Sequence, residues 1–504
     1  MLKNVSVGAT PRLRWTFIPR GAGKTSRSSR ASTNKGFQNS TGAWYQMSGA
    51  EGERLDEIGS DSIITGFEVK GVGSWELDIP RTVYPPREDT DLLAGALLGL
   101  RRHGGLATEI GCGSGAISIL LATLGWEVEA CDVNPFAVAA TMGNSSKAGL
   151  SNLINVSEGG PGEDGWSIPE DSSLIVWNLP YLSPPREGEP VLEAIEEASL
   201  SDLADGGWSD LLLGELGSAT VRDDCLVVML HRTDPPSPSS PESWKSEGWS
   251  SRLLASSRIA DESLEVISYW RPGSGTPPIV LEECGSTMDE AEKISEPGWQ
   301  RVLSLSQISG RGRRGSSWQS KTGDLACTWL IPSNVVEEYS PGLTQTAIGA
   351  VVSDALRCNV KWPNDILTDG GAKLGGVLLE GGTGNSRVKV GIGLNRKGDS
   401  LDGIRIAGWE DVLGPSRASE VFEMVDAAVA SLFEELPSVS PITREELLRI
   451  SWRGLSESLS HGTHVSRSGS SVRPVGLTED GHLILYCESG VETVDEVESL
   501  SWVA

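Results

Sequence analysis

The sequence lacks two features that would have decided its class at once. No two of its seven cysteines stand in a Cys-x-x-Cys pair, so neither a zinc site nor a disulfide framework is indicated. A reducing, cytoplasmic compartment is therefore expected. No apolar run approaches the ~18 residues that a transmembrane helix needs. The nearest, from Leu92 to Leu100, has nine residues, and no membrane partner is expected.

Positive charge is also scarce. The chain has 42 Lys and Arg against 69 Asp and Glu, a formal charge of −27. Such acidity argues against broad, charge-driven binding of nucleic acid, although it leaves room for a small site that acts on it. Residues 1–50 are the exception, because they contain eight Lys or Arg and no acid, which leaves −35 for the rest (−27 − 8). We expect a disordered basic tail there; a misplaced start codon and a transit peptide are the alternatives.

The 504 residues suggest about three domains at ~150 residues each. Strand, glycine turn and helix alternate over residues 75–270, which predicts a doubly wound, Rossmann-like α/β domain. Within it, the Pro/Ser-rich residues 233–245 are expected to form a surface loop, and residues 271–278 a linker. Residues 279–455 alternate less regularly and predict a mixed sheet. The short β-like runs of residues 459–504 fit a small barrel.

The first motif follows the apolar strand Leu106–Ile110. It reads Glu109-Ile110-Gly111-Cys112-Gly113-Ser114-Gly115 and precedes a predicted helix. Glycines at a helix N-terminus let the backbone turn tightly and approach a ligand closely. The next strand ends at Asp132, 23 residues after Glu109, where an acid can bind the two hydroxyls of a ribose. The pair fits either a dinucleotide or an adenosyl cofactor.

The next predicted strand, Leu174–Trp177, leads into Asn178-Leu179-Pro180-Tyr181. An Asn side chain offers both a donor and an acceptor to a planar amide or amino group. Pro180 adds a carbonyl without a competing N–H, and Tyr181 can stack on the acceptor. This arrangement suits an N-methyltransferase, which gains rate mainly by aligning a flat NH₂ group with a methyl sulfonium.

Residues ~80–270 resemble S-adenosylmethionine-dependent methyltransferases that modify protein glutamine or adenine nitrogen, and most of all the archaeal and eukaryotic release-factor glutamine methyltransferases. The resemblance rests on Tyr84–Thr90, Asp132–Pro135, Asn178–Tyr181 and Gly206-Gly207. It implies that Asn178, Pro180 and Tyr181 hold the methyl acceptor. It also implies a set of S-adenosylmethionine contacts, namely Thr90, Glu109, Gly111, Gly113, Gly115, Asp132 and Asn178.

One position departs from that family, which usually reads Asn-Pro-Pro-Tyr. Leu179 takes the second place here, as is usual in ribosomal-RNA adenine dimethyltransferases. The acceptor therefore stays open between a protein glutamine, as in a peptide-chain release factor, a nucleic-acid adenine and a small molecule. The Tyr84–Thr90 stretch and the acidic surface favour protein glutamine. A catalytically inactive domain that only binds cofactor is a further alternative.

The second group of motifs begins with Gly310-Arg311-Gly312-Arg313-Arg314-Gly315-Ser316-Ser317-Trp318. Arginines offer planar, permanently charged forks for phosphate, and Trp318 can stack on a purine. The stretches Lys361–Asp365, Lys373–Glu380 and Gly391–Asn395 follow. Lysines near an arginine loop would neutralise a triphosphate, and Asp365 could hold Mg²⁺. Upstream, Ser286-Thr287-Met288 and Gln307 suit a neutral, amide-like head group.

This set resembles biotin–protein ligases over residues ~279–504. The resemblance implies a class II synthetase-like domain followed by a small SH3-like barrel, with ATP, biotin and Mg²⁺ as ligands. In that family ATP activates the biotin carboxylate as biotinyl-5′-AMP, which a carrier-protein lysine then attacks. The implied catalytic residues are Arg311, Arg313, Lys361 and Lys373, with Asp365 for the metal. The implied biotin and adenylate contacts are Ser286, Thr287, Met288, Gln307, Gly310, Arg311, Gly312, Arg313, Arg314, Trp318, Asn364, Lys373, Gly376 and Asn395.

The two resemblances together predict a bifunctional enzyme. The expected partners are a biotin carboxyl carrier protein or domain and a peptide-chain release factor. Some ligases carry an N-terminal DNA-binding winged helix, but the methyltransferase-like domain occupies that place here, so no operator DNA is expected. The rival hypotheses are a ligase with an inactive N-terminal domain and a biotin-responsive regulator.

Overall fold

The computed structural model describes residues 62–182, 201–202, 206–318, 320–333, 338–381, 387–401 and 404–503. The predicted basic tail, residues 1–50, lies outside the described residues. None of the described helices is long and apolar enough to cross a membrane.

A β-hairpin opens the described part of the chain. Its strands are β1 (Ile63–Val69) and β2 (Gly73–Ile79), paired antiparallel. Phe67 and Leu77 point inward and join a core that includes Leu93, because alternate residues of a strand face the same side. The predicted domain start at residue 75 therefore falls inside a strand that already belongs to this core.

A seven-stranded sheet forms the centre of the described residues between 62 and 270, which are called the first domain below; those between 279 and 460 are called the second domain. Strands β5, β4, β3, β6 and β7 run parallel in that order, and β9 and β8 complete the sheet with antiparallel pairing. The central parallel strands β6 and β7 are mostly apolar and buried, because helices cover both faces of such sheets. The elements are α1 (Glu88–Leu98), β3 (Gly105–Ile110), α2 (Ala116–Thr123), β4 (Trp126–Asp132), α3 (Pro135–Lys147), β5 (Ile154–Glu158), β6 (Ser172–Asn178), α4 (Gly207–Ser218), β7 (Leu226–Asp234), α5 (Pro241–Ser246), β8 (Ser250–Ile259) and β9 (Glu262–Trp270).

The expectation of a surface loop over residues 233–245 is wrong for its second half. Helix α5 begins there with Ser240 as its N-cap and Pro241 in the first turn, the residue types that favour a helix start. Trp244 is fully buried, and its Nε1 donates a hydrogen bond to Ser209 Oγ at 2.6 Å. The large apolar surface of this indole holds the Pro/Ser-rich segment against the domain.

The second domain is built on a mixed sheet, and the predicted α/β class is confirmed. Its main path runs β10-β11-β14-β18-β17-β16-β15, in which only β10 and β11 pair parallel. Helices α7, α9 and α10 share its core. The elements are β10 (Ile279–Leu281), α6 (Thr287–Ala291), β11 (Gln300–Ser304), β12 (Gly310–Arg311), β13 (Ser317–Trp318), β14 (Leu325–Ile331), α7 (Pro341–Ala355), β15 (Asn359–Lys361), β16 (Asp365–Leu367), β17 (Lys373–Glu380), β18 (Val388–Leu394), β19 (Asp399–Leu401), β20 (Ile404–Ile406), α8 (Trp409–Leu413), α9 (Ala418–Phe433) and α10 (Arg444–Ser460).

The C-terminal part is a five-stranded antiparallel sheet in the order β24-β23-β22-β21-β25. Its core continues into the second domain through Trp362 and Leu455. Helix α10 extends past the predicted boundaries at residues 455 and 459, and the SH3-like barrel stays a prediction. The strands are β21 (His464–Arg467), β22 (Ser470–Leu477), β23 (Leu483–Cys487), β24 (Gly490–Val494) and β25 (Leu500–Val503), with a 3-10 turn at Val497–Ser499.

Hydrogen bonds tie the predicted linker, residues 271–278, to the second domain. Gly273 N and the preceding Trp270 Nε1 donate to the two carboxylate oxygens of Glu434, at 2.7 and 2.6 Å. Arg301 Nη1 donates to Thr276 O at 3.0 Å. Glu434 is 5% exposed, and a buried carboxylate is tolerated only when such donors satisfy it. The segment is therefore a fixed junction.

Candidate functional site

The first candidate site lies at the carboxyl edge of strands β3, β4 and β6, where a cavity of about 320 Å³ opens. Ligands of parallel α/β sheets bind at this edge. The predicted residues that line it are Thr90, Glu109, Gly111, Gly113, Asp132, Asn178, Pro180 and Tyr181. Gly115 does not line the cavity. It is the N-cap of α2, with a φ of 83°, and a Cβ there would come within 3.1 Å of Thr141.

Asp132 forms the wall of this cavity beside the glycine turn. Gly113 N donates to its Oδ2 at 2.9 Å and Asn134 N to its Oδ1 at 2.8 Å. Burial raises the pKa of Asp132, and these two amides oppose that rise. Each carboxylate oxygen keeps a further lone pair for a ligand hydroxyl. The residues present therefore fit the ribose of an adenosyl cofactor.

Glu109 is a buried acid of this cavity, 4% exposed. The hydroxyl of Ser118 donates a hydrogen bond to its Oε2. Burial raises the pKa of Glu109 to about 8, against its ordinary value of 4.5. A carboxyl with this pKa is mostly protonated at neutral pH, so Glu109 presents a hydroxyl as well as a carbonyl oxygen to the cavity.

Glu109 should make the stability of the protein depend on pH. Between pH 4.5 and about 8 the unfolded chain releases this proton while the folded protein retains it. The free energy of unfolding should therefore fall as pH rises, by at most about 1.4 kcal/mol per pH unit. Glu109→Gln should remove this contribution. Urea unfolding of both proteins from pH 5 to 8 measures it, and equal slopes would contradict it.

Asn178 has one half of its amide fixed and the other half open. Its Nδ2 donates to Asp89 Oδ2 at 3.0 Å, and Asp89 is itself held by Thr90 N, which donates to Oδ1 at 2.8 Å. A carboxylate only accepts, so this contact sets which way the amide points. The Oδ1 of Asn178 is buried and has no hydrogen-bond partner in the described structure. It is an acceptor available to an incoming N–H group.

Tyr181 and Tyr84 share a hydrogen bond at the mouth of the same cavity. Burial raises the pKa of the Tyr181 phenol, and the Asp89 carboxylate raises it further, so the ring stays neutral. The sequence motifs did not identify Trp208 and Glu262, which also line the cavity. Glu262 comes from β9, and nothing in the local sequence ties that strand to this site.

The second candidate site is a cavity of about 400 Å³ in the second domain. Separate stretches of the chain converge on it from α6, the β12–β13 hairpin, β16, β17 and β18. The predicted residues that line it are Ser286, Thr287, Met288, Gln307, Arg311, Gly312, Arg313, Trp318, Asn364, Asp365, Lys373 and Gly376.

One end of this cavity is neutral and rich in hydrogen-bonding groups. Thr287 donates to Gln307 Oε1 from both its backbone N, at 2.9 Å, and its Oγ1, at 3.2 Å. Thr328 Oγ1 donates in turn to Thr287 Oγ1 at 2.8 Å. Ser286, Thr287 and Gln307 are all buried. Such a network orders donors and acceptors without placing a charge, which suits an uncharged polar head group.

Two glycines of β18 make the floor of the cavity. A Cβ on Gly391 would come within 2.4 Å of Met288 Cε, and one on Gly393 within 2.6 Å of the Trp318 indole. Both side chains therefore lie directly on the strand; a side chain at Gly393 would clash with the rigid indole, and one at Gly391 would displace the flexible end of Met288. Trp318 Nε1 is buried without a hydrogen-bond partner in the described structure and is available to a ligand.

The cations of this cavity differ in how they are neutralised. Arg311 forms ion pairs with Asp289 at 2.6 Å and Glu380 at 3.1 Å. Arg313 instead donates to the side-chain oxygen of Asn364 at 3.4 Å, and no described carboxylate forms an ion pair with it. Arg313 is therefore the guanidinium of the loop best placed to meet a phosphate.

Four predicted residues do not line this cavity: Gly310, Arg314, Lys361 and Asn395. Arg314 forms an ion pair at 2.8 Å with Glu498, a residue of the C-terminal 3-10 turn that itself lines the cavity. Asn395 Nδ2 donates to Leu374 O at 3.0 Å and so connects the ends of two strands. Both contacts hold the surrounding structure rather than a ligand.

The predicted metal ligand Asp365 lies between two lysines. Its Oδ1 is 2.6 Å from Lys373 Nζ and its Oδ2 is 3.7 Å from Lys361 Nζ. No group of three acidic, His or Cys side chains that could hold a metal occurs in the described part of the chain. One carboxylate facing two ammonium groups does not fit a Mg²⁺ site by itself. No step of the proposed reaction is therefore assigned to a metal.

The family model of the Biotin/lipoate A/B protein ligase family matches residues 289–396. The biotin–[acetyl-CoA-carboxylase] ligase of Paracoccus denitrificans is 36% identical over 131 residues, which are 24% of this chain and 54% of that protein. The bifunctional ligase/repressor BirA of Bacillus subtilis is 31% identical over 125 residues, 23% of this chain and 38% of that protein. The chain thus spans about half, or less, of the length of these curated relatives. The predicted resemblance of the C-terminal part to biotin–protein ligases is confirmed.

Two solved structures give broader but weaker similarity. The biotin protein ligase of Aquifex aeolicus in complex with biotin and ATP has 22% identity and a TM-score of 0.34, covering 45% of this chain and 98% of its own. The ribosomal protein L11 methylase of Lactobacillus delbrueckii subsp. bulgaricus has 16% identity and a TM-score of 0.27, covering 38% of this chain and 82% of its own. The methyltransferase resemblance of the first domain stays a prediction.

Proposed function

We propose that the second domain is a biotin–protein ligase that uses ATP. The observation that carries this proposal is the single cavity in which a neutral hydrogen-bonding end, a glycine floor and the cation Arg313 meet. The family match over residues 289–396 also supports a ligase function. The substrates are biotin, ATP and a lysine of a biotin carboxyl carrier protein or domain.

The two ends of the cavity have different roles in this reaction, one in binding biotin and the other in stabilising charge on the phosphoryl group. Ser286, Thr287 and Gln307 bind the uncharged head group of biotin. The biotin carboxylate attacks the α-phosphorus of ATP, pyrophosphate leaves, and a carrier lysine then attacks the acyl carbon and displaces AMP. Arg313 and Lys373 stabilise the negative charge that develops at the phosphoryl group. The loop of residues 310–318 protects the mixed anhydride from water.

Biotin-dependent exchange of labelled pyrophosphate into ATP tests the adenylation step. Wild-type protein should exchange label only when biotin is present. Arg313→Met should lower the exchange by at least ~10-fold, because it removes a charge at the phosphoryl group. Arg417→Met is the control, because Arg417 is a highly exposed surface residue paired with Glu420. Exchange that does not depend on biotin would contradict the proposal.

We infer a second activity for the first domain, the transfer of a methyl group from S-adenosylmethionine to a nitrogen. The observation in its favour is the open acceptor Oδ1 of Asn178 in the cavity that Asp132 also lines. The cofactor would supply the electrophilic methyl group. Asp89 and Asp132 line the same cavity, and their negative charge disfavours a phosphate-rich acceptor. We therefore favour a protein glutamine, with a release factor as the candidate partner, over a nucleic-acid adenine.

Asp132→Asn should weaken binding of S-adenosylmethionine by about tenfold, since a charged acceptor binds hydroxyl groups more strongly than a neutral one. Titration calorimetry measures the dissociation constant. Asp78→Asn is the control, because Asp78 forms a half-exposed surface ion pair with Lys147. Equal affinity of wild-type protein and Asp132→Asn would refute the ribose assignment.

A biotin-responsive DNA-binding regulator is the rival function that remains to be tested. The B. subtilis relative is named a ligase/repressor, and a biotin-responsive regulator would bind DNA. Retention of this protein on genomic DNA fragments in the presence of biotin and ATP would favour that rival over our expectation that it binds no operator.

A further inference from the structure

A buried arginine lies beside the loop that follows β6. Arg232, on β7, has a side chain only 6% exposed, and its Nη1 lies 2.9 Å from Glu262 Oε1. Taking a guanidinium out of water costs several kcal/mol unless a partner compensates it. Glu262 supplies such a partner from β9 and lines the first cavity as well. This pair belongs to none of the sequence motifs.

The strand register brings Arg232 to the edge of the sheet where the first cavity opens. Asn178 on β6 pairs with Leu230 on β7, so Arg232 stands two residues beyond that pair at the same edge. Its guanidinium carbon lies 5.7 Å from the centre of the Tyr181 ring. This is within the ~6 Å at which a cation is attracted to an aromatic face.

Tyr181 is thereby held from two directions. Its hydroxyl shares a hydrogen bond with Tyr84, and the face of its ring meets the guanidinium of Arg232. A planar guanidinium stacks on a ring and still keeps its in-plane donors for a carboxylate, which a lysine ammonium cannot do. Arg232 can therefore bind Glu262 and fix the ring orientation at the same time.

We propose that Arg232, anchored by Glu262, is a positioning residue that sets the ring of Tyr181 against the methyl acceptor. This inference rests on the proposed methyl transfer, in which Tyr181 stacks on a planar amide. It extends the acceptor site beyond Asn178–Tyr181 to a pair of residues on β7 and β9. Misalignment of the acceptor should lower turnover, because the rate of such a reaction depends on geometry.

Arg232→Met and Arg232→Lys test the role in catalysis. With a purified peptide-chain release factor and labelled S-adenosylmethionine, Arg232→Met should lower kcat about tenfold, while cofactor affinity stays within about twofold by calorimetry. Arg232→Lys should regain part of the lost rate through its charge. Arg258→Met is the control, because Arg258 on β8 is 63% exposed and forms a surface ion pair with Asp234 at 3.5 Å. Equal kcat for wild-type protein and Arg232→Met would overturn the proposal.

A spectroscopic readout separates this inference from the proposed activity. Protein labelled with 3-fluorotyrosine carries six tyrosines, and Tyr181→Phe assigns the fluorine resonance of Tyr181. That resonance should shift in Arg232→Met and in Glu262→Gln but not in Arg258→Met. If wild-type protein transfers no methyl group and the resonance still shifts, the activity proposal fails and the positioning role stands. An unchanged resonance in Arg232→Met and Glu262→Gln overturns the positioning role.

Discussion

Replacing Lys373 with Met is expected to lower the rate of biotinyl-adenylate formation by about 100-fold or more. Its ammonium lines the cavity of the second domain and lies 2.6 Å from Asp365 Oδ1. In the proposed reaction it meets the phosphoryl oxygens, together with Arg313, as negative charge accumulates there. Loss of one preorganised charge or donor of this kind typically costs 10²–10³ in rate.

Single-turnover formation of labelled biotinyl-AMP measures this effect directly. Lys397→Met is the matched control, because Lys397 is 73% exposed and pairs with Glu410 at 3.8 Å on the surface. It should form the adenylate at the wild-type rate. If Lys373→Met forms it within threefold of wild type, Lys373 does not act at the phosphoryl group.

Replacing Asn178 with Ala is expected to lower methyl transfer by about 100-fold. In the wild-type protein Asn178 Nδ2 donates to Asp89 Oδ2 at 3.0 Å. The change removes this donor as well as the open acceptor Oδ1. The acceptor nitrogen then loses the group that orients its N–H bonds toward the protein and its lone pair toward the methyl group. In the proposed methyl transfer Asn178 supplies this orientation, so the loss should fall mainly on kcat.

Incorporation of labelled methyl groups into the macromolecules of a host lysate, followed by protease or ribonuclease digestion, measures this transfer and identifies the acceptor class. Release of the label by protease would support glutamine, and release by ribonuclease would favour adenine. Asn155→Ala is the control, because Asn155 is exposed on β5 and its side chain donates a surface hydrogen bond to Glu129. Methylation by Asn178→Ala at the wild-type rate would remove this residue from the mechanism.

Much of both sites was predictable because their residues follow local rules. Glycine turns at strand ends leave few alternatives for the backbone, which is why Gly111, Gly113 and Asp132 were expected together. The order of the strands then brings separate motifs to one edge. In the second domain, the stretches beginning at Gly310 and Lys373 line one cavity, as the resemblance to ligases implied.

The partners of these residues were not predictable, because they depend on contacts between distant parts of the chain. Asp89 orients Asn178 from 89 positions away, and Glu262 reaches the first cavity from an unrelated hairpin. The same holds for Glu434, which anchors Trp270 across 164 positions. The composition of the segment around Trp244 predicted a surface loop. This prediction was wrong because burial of one large indole stabilises the segment more than its small polar neighbours favour exposure.

The proposed ligase reaction joins biotin to a carrier lysine in the cavity of the second domain. Mass spectrometry of a biotin carboxyl carrier domain, incubated with this protein, biotin and ATP, tests this proposal most directly. We expect one biotinyl group on one carrier lysine, none when ATP is omitted, and biotinylation about 100-fold slower when Lys373→Met replaces the wild type. An unmodified carrier after incubation with folded wild-type protein would contradict it.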